Sequence, residues 1–339
     1  MCGILGVCLD KRERNDADYI EIALDFARIW EESQTRGTDA AGVYIVNRES
    51  EIRYIKAPVP SNNITDMDDD FGFWQLIRDH VGPDTIAIIG HTRAATTGAP
   101  ECNDNNHPVV DAPIIGVHNG IIQNHLRLNA KYPKCAEVDS AAIMSLLKAK
   151  AGDKPLTTGV VAGSLHDLDG SFAIAVADMR KPDGIFLARN RSPVSFVRNR
   201  ADGILMFAST ADILRRALGD GIHTFAMPAD TVCRISRKTV RGSLSFKPLK
   251  AAKPTTKTKA KLQCGKCGKD IVRFLASGEV PTGVDRFCVE CQTKPVKSAT
   301  RFDLVDCGLR CSTCHQLYLM VYHGNVEQRC CNCNPYGGF

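Results

Sequence analysis

The fifteen residues from Lys247 to Lys261 hold six lysines and two prolines and offer almost nothing to bury. A stretch of that composition stays solvated rather than crossing a hydrophobic core, so a 339-residue chain that contains it is built as separate units on either side. The charge divides at nearly the same place. Residues 1–240 carry 27 Lys+Arg against 31 Asp+Glu, a net −4, whereas residues 241–339 carry 16 against 7, a net +9. With 44% hydrophobic and 24% charged residues the chain has a globular makeup, with room for one large domain before the linker and one or two small ones after it. No apolar run reaches membrane-spanning length, and charge begins at Asp10, too early for a signal peptide. A cytoplasmic protein with no membrane partner is expected.

Fifteen cysteines in such a compartment point to reduced thiols or metal ligands rather than a disulfide framework. Ten of them follow the linker, and eight fall in pairs. Cys264 and Cys267 are separated by twenty residues from Cys288 and Cys291, and Cys311 and Cys314 by fifteen from Cys330 and Cys333. Both arrangements suit tetrahedral four-cysteine zinc sites, with Gly265 and Gly268 easing the turn that aims two thiolates at one ion. Two structural zinc ions are therefore expected, in ribbons spanning 262–296 and 305–335 behind a linker of 241–261. Four protein ligands leave no open position for substrate. Cys307 and Cys331 are surplus and His315 is an alternative ligand, so the ligand set of the second site stays open. Zinc–thiolate centres of about −2 each lower the tail to about +5. A basic tail of this kind suits nucleic acid, and its lysines read equally well as a solvated spacer. Cys8, Cys102, Cys135 and Cys233 have no partner spacing and read as ordinary thiols.

The other end of the chain opens Met1-Cys2-Gly3-Ile4-Leu5-Gly6-Val7. Methionine aminopeptidases remove Met1 when the next side chain is this small, which leaves a thiol and a free α-amino group on one residue. An α-amine titrating at about pH 7.7–8.0 can take the thiol proton directly or through a water, so the residue is a complete nucleophile and base. Taken alone, Cys2 also reads as a small residue starting a buried strand.

Four more segments follow in order: Arg36-Gly37-Thr38-Asp39-Ala40-Ala41-Gly42, His91-Thr92-Arg93-Ala94-Ala95-Thr96-Thr97-Gly98, Val117-His118-Asn119-Gly120-Ile121-Ile122 and Glu137-Val138-Asp139-Ser140. With Cys2-Gly3-Ile4, this set resembles the glutaminase domain of class II, N-terminal-cysteine glutamine amidotransferases, and is most similar to the glutaminase half of glucosamine-6-phosphate synthases. Leu168 to Phe172, Ala188 to Pro193 and Phe207 to Thr210 carry the resemblance on to about Ser236, which sets a domain at 2–240. The resemblance implies an α+β fold, the four-layer αββα Ntn-hydrolase sandwich of two antiparallel sheets, and L-glutamine as substrate. It also implies that Cys2 attacks the side-chain amide, that the Asn119 side chain and the Gly120 N–H hold the oxyanion, that Arg93 and Thr96 take the α-carboxylate, and that Asp139 takes the α-ammonium. The chemistry asks for these types: an oxyanion needs fixed donors, and a carboxylate suits the planar guanidinium fork.

Singly, each residue has a plainer reading. Arg93 is also a surface ion-pair residue, Asp139 a helix N-cap before Ser140 to Met144, and Asn119-Gly120 the commonest hairpin-turn signal. His91 and His118 read as structural or supporting, because the amine serves as base. Apolar patterning predicts a helix over 19–32, buried strands at 42–46, 85–89, 114–117 and 171–176, and a helix from 140 to 150.

Glucosamine-6-phosphate synthases carry an aromatic residue at the position of Ala94 and a histidine at that of Thr97. Neither does bond-making chemistry, so hydrolysis is expected intact while loop closure and coupling differ. No sugar-isomerase domain, SGG-x-DS pyrophosphatase motif or phosphoribosyltransferase signature is present, and the roughly 90 residues after the linker's start cannot bury a synthase-sized core. The leading expectation is the glutaminase component of a two-protein amidotransferase, passing ammonia to a separate synthase in nucleobase modification or amino-sugar synthesis. A free-standing glutaminase and a non-enzymatic zinc-ribbon binding protein on the same fold are the other readings.

Overall fold

Every residue of Gly3–Leu9 is buried, with Leu5, Val7 and Leu9 packed to one side and Ile4 and Cys8 to the other, as in a strand covered on both faces. The computed structural model describes residues 2–48, 53–66, 72–132 and 136–249, together with the backbone of 258–263 and 270–275. Its strands are β1 (Gly3–Leu9), β2 (Ala40–Val46), β3 (Arg53–Ala57), β4 (Ala87–Arg93), β5 (Val109–Asp111), β6 (Ile114–Ile122), β7 (Gly170–Asp178) and β8 (Gly184–Arg189). Then follow β9 (Ser195–Asn199), β10 (Ile204–Ala208), β11 (Thr224–Ala226), β12 (Thr231–Ser236), β13 (Lys247–Pro248), β14 (Thr258–Gln263) and β15 (Asp270–Leu275). The helices are α1 (Asp16–Glu32), α2 (Ser61–Thr65), α3 (Phe73–His80), α4 (His125–Lys131), α5 (Asp139–Ala151), α6 (Thr158–Leu165), α7 (Ala211–Leu218) and α8 (Arg237–Arg241).

Two antiparallel sheets result, ordered β11-β9-β10-β1-β4-β2-β3 and β13-β12-β8-β7-β6-β5. Ile4, Tyr44, Ile89, Val117, Ala175 and Leu187 meet between them, and the Tyr44 hydroxyl crosses the interface to donate to the Ala175 carbonyl at 3.0 Å. Phe26, Trp30, Phe73 and Leu214 cover the outer face of the first sheet, and Ile143, Leu147 and Val161 that of the second. Helix α1 starts at a reciprocal capping box between Asn15 and Asp18, and its Trp30 Nε1 donates to the His91 carbonyl at 3.0 Å. That bond fixes α1 against the strand that ends at Arg93. The layers are therefore αββα, a mixed α/β sandwich.

Three sequence expectations change. The strands predicted at 85–89 and 114–117 run on to Arg93 and Ile122, through the polar motifs. Asn119-Gly120 is consequently not a hairpin turn: Asn119 pairs with Ala173 and Gly120 with Phe172 in the β6–β7 ladder. Apolar periodicity stops where side chains turn toward a polar site, although the backbone ladder continues. Residues 241–249, placed in the linker by composition, belong to the sandwich, because Lys247–Pro248 pairs with β12 while Leu244, Phe246 and Leu249 pack on its cores.

Beyond them, β14 and β15 pair antiparallel up to Gln263 opposite Asp270. Cys264, Cys267, Cys288, Cys291, Cys311, Cys314, Cys330 and Cys333 lie outside the described residues. Among the described residues no group of three or more His, Cys, Asp or Glu is arranged to hold a metal, and no helix is long and apolar enough to cross a membrane.

Candidate active site

Cys2 immediately precedes β1, and Arg93 is the last residue of β4, whose register sets Thr92 opposite Gly3. The nucleophile and the arginine thus share one end of two neighbouring strands. The Arg36 Nε donates to the Cys2 carbonyl at 3.0 Å and the Ile4 N–H to Ser209 Oγ at 3.0 Å, which holds the start of the strand. The thiol lies 3.5 Å from the Ala94 carbonyl oxygen. Burial pushes the Cys2 thiol up, against the opposing charge of Arg93, so a thiolate here requires a base.

The Arg93 side chain is buried, and three neutral oxygens hold it. Nη1 donates to Asn106 Oδ1 at 2.8 Å, and Nη2 to the carbonyls of Thr97 at 2.7 Å and Gly98 at 2.8 Å. No carboxylate among the described residues stands within ion-pairing distance, so the surface ion-pair reading does not hold. Asp139 is not the N-cap of α5 either. Val138 occupies that position without a side-chain bond, while Asp139 Oδ2 accepts from the Ile122 N–H at 2.6 Å and Oδ1 from Ser140 Oγ at 3.4 Å. Its nearest basic group is His118 Nδ1 at 4.0 Å, and burial lowers the pKa of that imidazole and favours its neutral form. One narrow pocket, walled by Cys2, Arg93, Thr96, Gly120 and Asp139, therefore contains a guanidinium and a carboxylate that form no ion pair with a Lys, Arg, Asp or Glu among the described residues.

Gly120 has φ +151°, and a Cβ there would sit 2.0 Å from the Ser171 carbonyl oxygen, so only glycine fits. Its neighbour Asn119 does not form the pocket wall with the others. It is 3% exposed, and its Nδ2 is buried with no acceptor. A buried amide donor left unpaired in the resting protein costs free energy, and a developing oxyanion would satisfy it.

Sequence reasoning passed over His107, Asn105, Asn106 and Ser140. His107 stacks on His91 with ring centroids 4.0 Å apart, and neither of its ring nitrogens has a partner. His91 Nε2 donates to the His118 carbonyl at 3.0 Å, and His118 Nδ1 and Ser140 Oγ share a hydrogen bond of 2.9 Å. Polar residues between strands carry no periodic signal, so nothing in the sequence marked the loop residues.

Burial pushes the His91 pKa down from 6.5 to about 3, and those of His107 and His118 are also lowered by burial. A depressed folded-state pKa means that the unfolded chain binds protons first. Stability is then complete above the ordinary value of 6.5 and lost as pH falls toward 3. Urea unfolding between pH 7 and pH 5 is expected to show stability dropping by about 1.4 kcal/mol per pH unit for each histidine that titrates only when unfolded. A flat profile would show that the cluster accepts protons in the folded state.

Residues 91–216 match the sequence profile of a family described as glutamine amidotransferase domain. Over those residues the chain is similar to glutamine amidotransferase domains. The chain is similar to the glutamine–fructose-6-phosphate aminotransferase [isomerizing] of Streptococcus mutans, 32% identical over 201 residues that make up 57% of this chain and 30% of the relative. It is also similar to the 7-cyano-7-deazaguanine synthase of Saccharolobus solfataricus, 28% identical over 215 residues, 62% of this chain and 43% of the relative. The chain spans less than half the length of either. Among solved structures, the glutamine phosphoribosylpyrophosphate amidotransferase from B. subtilis, complexed with ADP and GMP, superposes with TM-score 0.51 at 15% identity, over 73% of this chain and 49% of that one. The allosteric regulatory enzyme of purine biosynthesis gives 0.53 at 14% identity, over 76% and 50%. At these identities the likeness is one of fold alone.

Proposed function

We propose that the protein hydrolyses L-glutamine to glutamate and ammonia at Cys2 and passes the ammonia to a synthase on another chain. The observation that carries this reading is a guanidinium and a carboxylate, neither ion-paired to a Lys, Arg, Asp or Glu among the described residues, beside a thiol. A buried guanidinium and a carboxylate, each lacking an oppositely charged Lys, Arg, Asp or Glu at ion-pair distance among the described residues, call for a small zwitterion, and a thiol with an unpaired amide donor calls for an acyl carbon to attack. Glutamine supplies the zwitterion and the amide in one molecule.

After loss of Met1 the Cys2 α-amine takes the thiol proton, and Sγ attacks the side-chain carbonyl carbon. Asn119 Nδ2 and the Gly120 N–H stabilise the oxyanion. Collapse of the tetrahedral intermediate expels ammonia, with the amine returning the proton to the leaving group, and water then hydrolyses the thioester to glutamate. Arg93 and Thr96 hold the α-carboxylate, and Asp139 the α-ammonium.

The two named relatives are each more than twice as long as the span matched here. Their names suggest two acceptor classes, an amino-sugar phosphate precursor and a deazaguanine nucleobase. We assign the C-terminal cysteine pairs to two structural zinc ions in a docking module for that synthase. Cys264 and Cys267 fall, in sequence, between the paired strands β14 and β15, where a two-thiolate knuckle belongs.

The full chain is expected to release glutamate and ammonia from glutamine and to carry two zinc ions by elemental mass spectrometry. A chain ending at Leu249 should retain the hydrolysis and lose ammonia delivery. Absence of glutamate release from the full chain would remove the reading, and fewer than one zinc per chain would remove the ribbons.

A further inference from the structure

We infer that the neighbouring side chains of Asn105 and Asn106 are a brace that sets the spacing between Arg93 and Asp139, and so are positioning residues for recognition of the α-carboxylate and α-ammonium of glutamine. The inference rests on the glutaminase reading and adds to it the device that holds the two charges in register.

Both side chains are wholly buried. Asn106 Oδ1 accepts from Arg93 Nη1 at 2.8 Å, while its Nδ2 donates to the Pro100 carbonyl at 2.7 Å and to Asn103 Oδ1 at 3.1 Å. With a donor on one side and two acceptors on the other, the amide has one orientation. Asn105 reaches the other way. Its Oδ1 accepts from the Glu137 N–H at 3.1 Å, and its Nδ2 donates to Glu137 Oε2 and to the Ala99 carbonyl, both at 3.2 Å. Glu137 stands two residues before Asp139.

The segment between is held by the same pair. Gly98, at φ +75°, directs its carbonyl to Arg93 Nη2, and a Cβ on it would meet Asn105 Cγ at 2.7 Å. The loop after Arg93 therefore lies directly on Asn105.

Such a brace answers a geometric need. The two charged groups of glutamine sit on one carbon, so the residues that read them must keep a fixed separation. Arg93 ends a strand of the first sheet and Asp139 begins a helix that covers the second. Packing of the two sheets alone leaves that separation to long side chains and loops. Two adjacent asparagines, one bonded to each side, tie it to a single peptide unit. Asparagine also suits this position electrostatically. It offers Arg93 an acceptor without a charge, whereas a carboxylate would neutralise the guanidinium and compete with the substrate.

The test compares alkylation of Cys2 in the full chain by two reagents. 6-Diazo-5-oxo-norleucine carries the α-amino and α-carboxylate groups, and iodoacetamide carries neither. For Asn106→Ala the diazo-ketone rate is expected to fall roughly tenfold to a hundredfold, the range of a hydrogen bond to a charged group, with the iodoacetamide rate within about twofold of wild type. Asn106→Asp, which keeps the side-chain shape, is expected to lose at least as much, and Asn105→Ala to fall in the same direction. Equal slowing of both reagents in all three variants, or slowing of neither, overturns the brace. If wild-type Cys2 takes iodoacetamide and ignores the diazo-ketone, the glutaminase reading itself fails, and that outcome is separate from any behaviour of the asparagine variants.

Discussion

Cys2→Ala is expected to abolish glutamine hydrolysis, with a loss of roughly a millionfold, the scale seen when a catalytic nucleophile is removed from an enzyme that works through an acyl intermediate. The fold should survive, because Cys2 is only partly buried and precedes the first strand, whose hydrogen bonds begin at Gly3. Its backbone carbonyl, the acceptor for Arg36, is retained in the variant. Cys2→Ser should fare little better. The buried site raises even the thiol, and a hydroxyl there is a far weaker acid for the α-amine to deprotonate. Glutamate release measures the loss directly, and intact-mass analysis after treatment with 6-diazo-5-oxo-norleucine should show one adduct on a chain lacking Met1. A Cys2→Ala protein that still turns over glutamine, or an active chain that retains Met1, would remove the N-terminal thiol from the mechanism.

Asn119→Ala is expected to lower kcat by roughly a hundred- to a thousandfold while KM for glutamine changes little. The asymmetry follows from where its Nδ2 stands. In the resting protein this donor has no acceptor, so it is not engaged in ground-state structure, and its contribution appears when the carbonyl oxygen gains charge. Asn119→Asp keeps the shape and removes the donor, and should lose a comparable factor. Removal of Arg93 should instead fall on substrate binding, which gives the pair of variants opposite kinetic signatures. An Asn119→Ala enzyme with wild-type kcat would take Asn119 out of the oxyanion hole.

Much of the proposed chemistry is legible in the sequence alone. Cys2 at the second position would supply, once Met1 is lost, a thiol and an α-amine on one residue, the pair that the proposed mechanism uses as nucleophile and base. The apolar runs at 42–46 and 171–176 lie within the strands Ala40–Val46 and Gly170–Asp178, because a strand buried on both faces must be continuously apolar. Where the local signal was ambiguous, it pointed the wrong way. Asn119-Gly120 carries the turn signature but runs in a ladder with β7, and Asp139 carries the N-cap signature but accepts from the Ile122 N–H on a neighbouring strand. Leu244, Phe246 and Leu249 sat unnoticed in a lysine-rich stretch, because three apolar residues without a period give no element by themselves.

The sequence by itself determined which groups are available for reaction, and the strands and helices that bury most of the core, because those follow from single residues and from short-range periodicity. Only the tertiary structure decided that, among the described residues, Arg93 and Asp139 form no ion pair with a Lys, Arg, Asp or Glu, that the Asn119 Nδ2 is left unpaired, and that Asn106 bonds Arg93 while Asn105 bonds Glu137. Each of these is a statement about what surrounds a buried group, and a group's surroundings come into being only when the two sheets close on each other and exclude the water that would otherwise satisfy it.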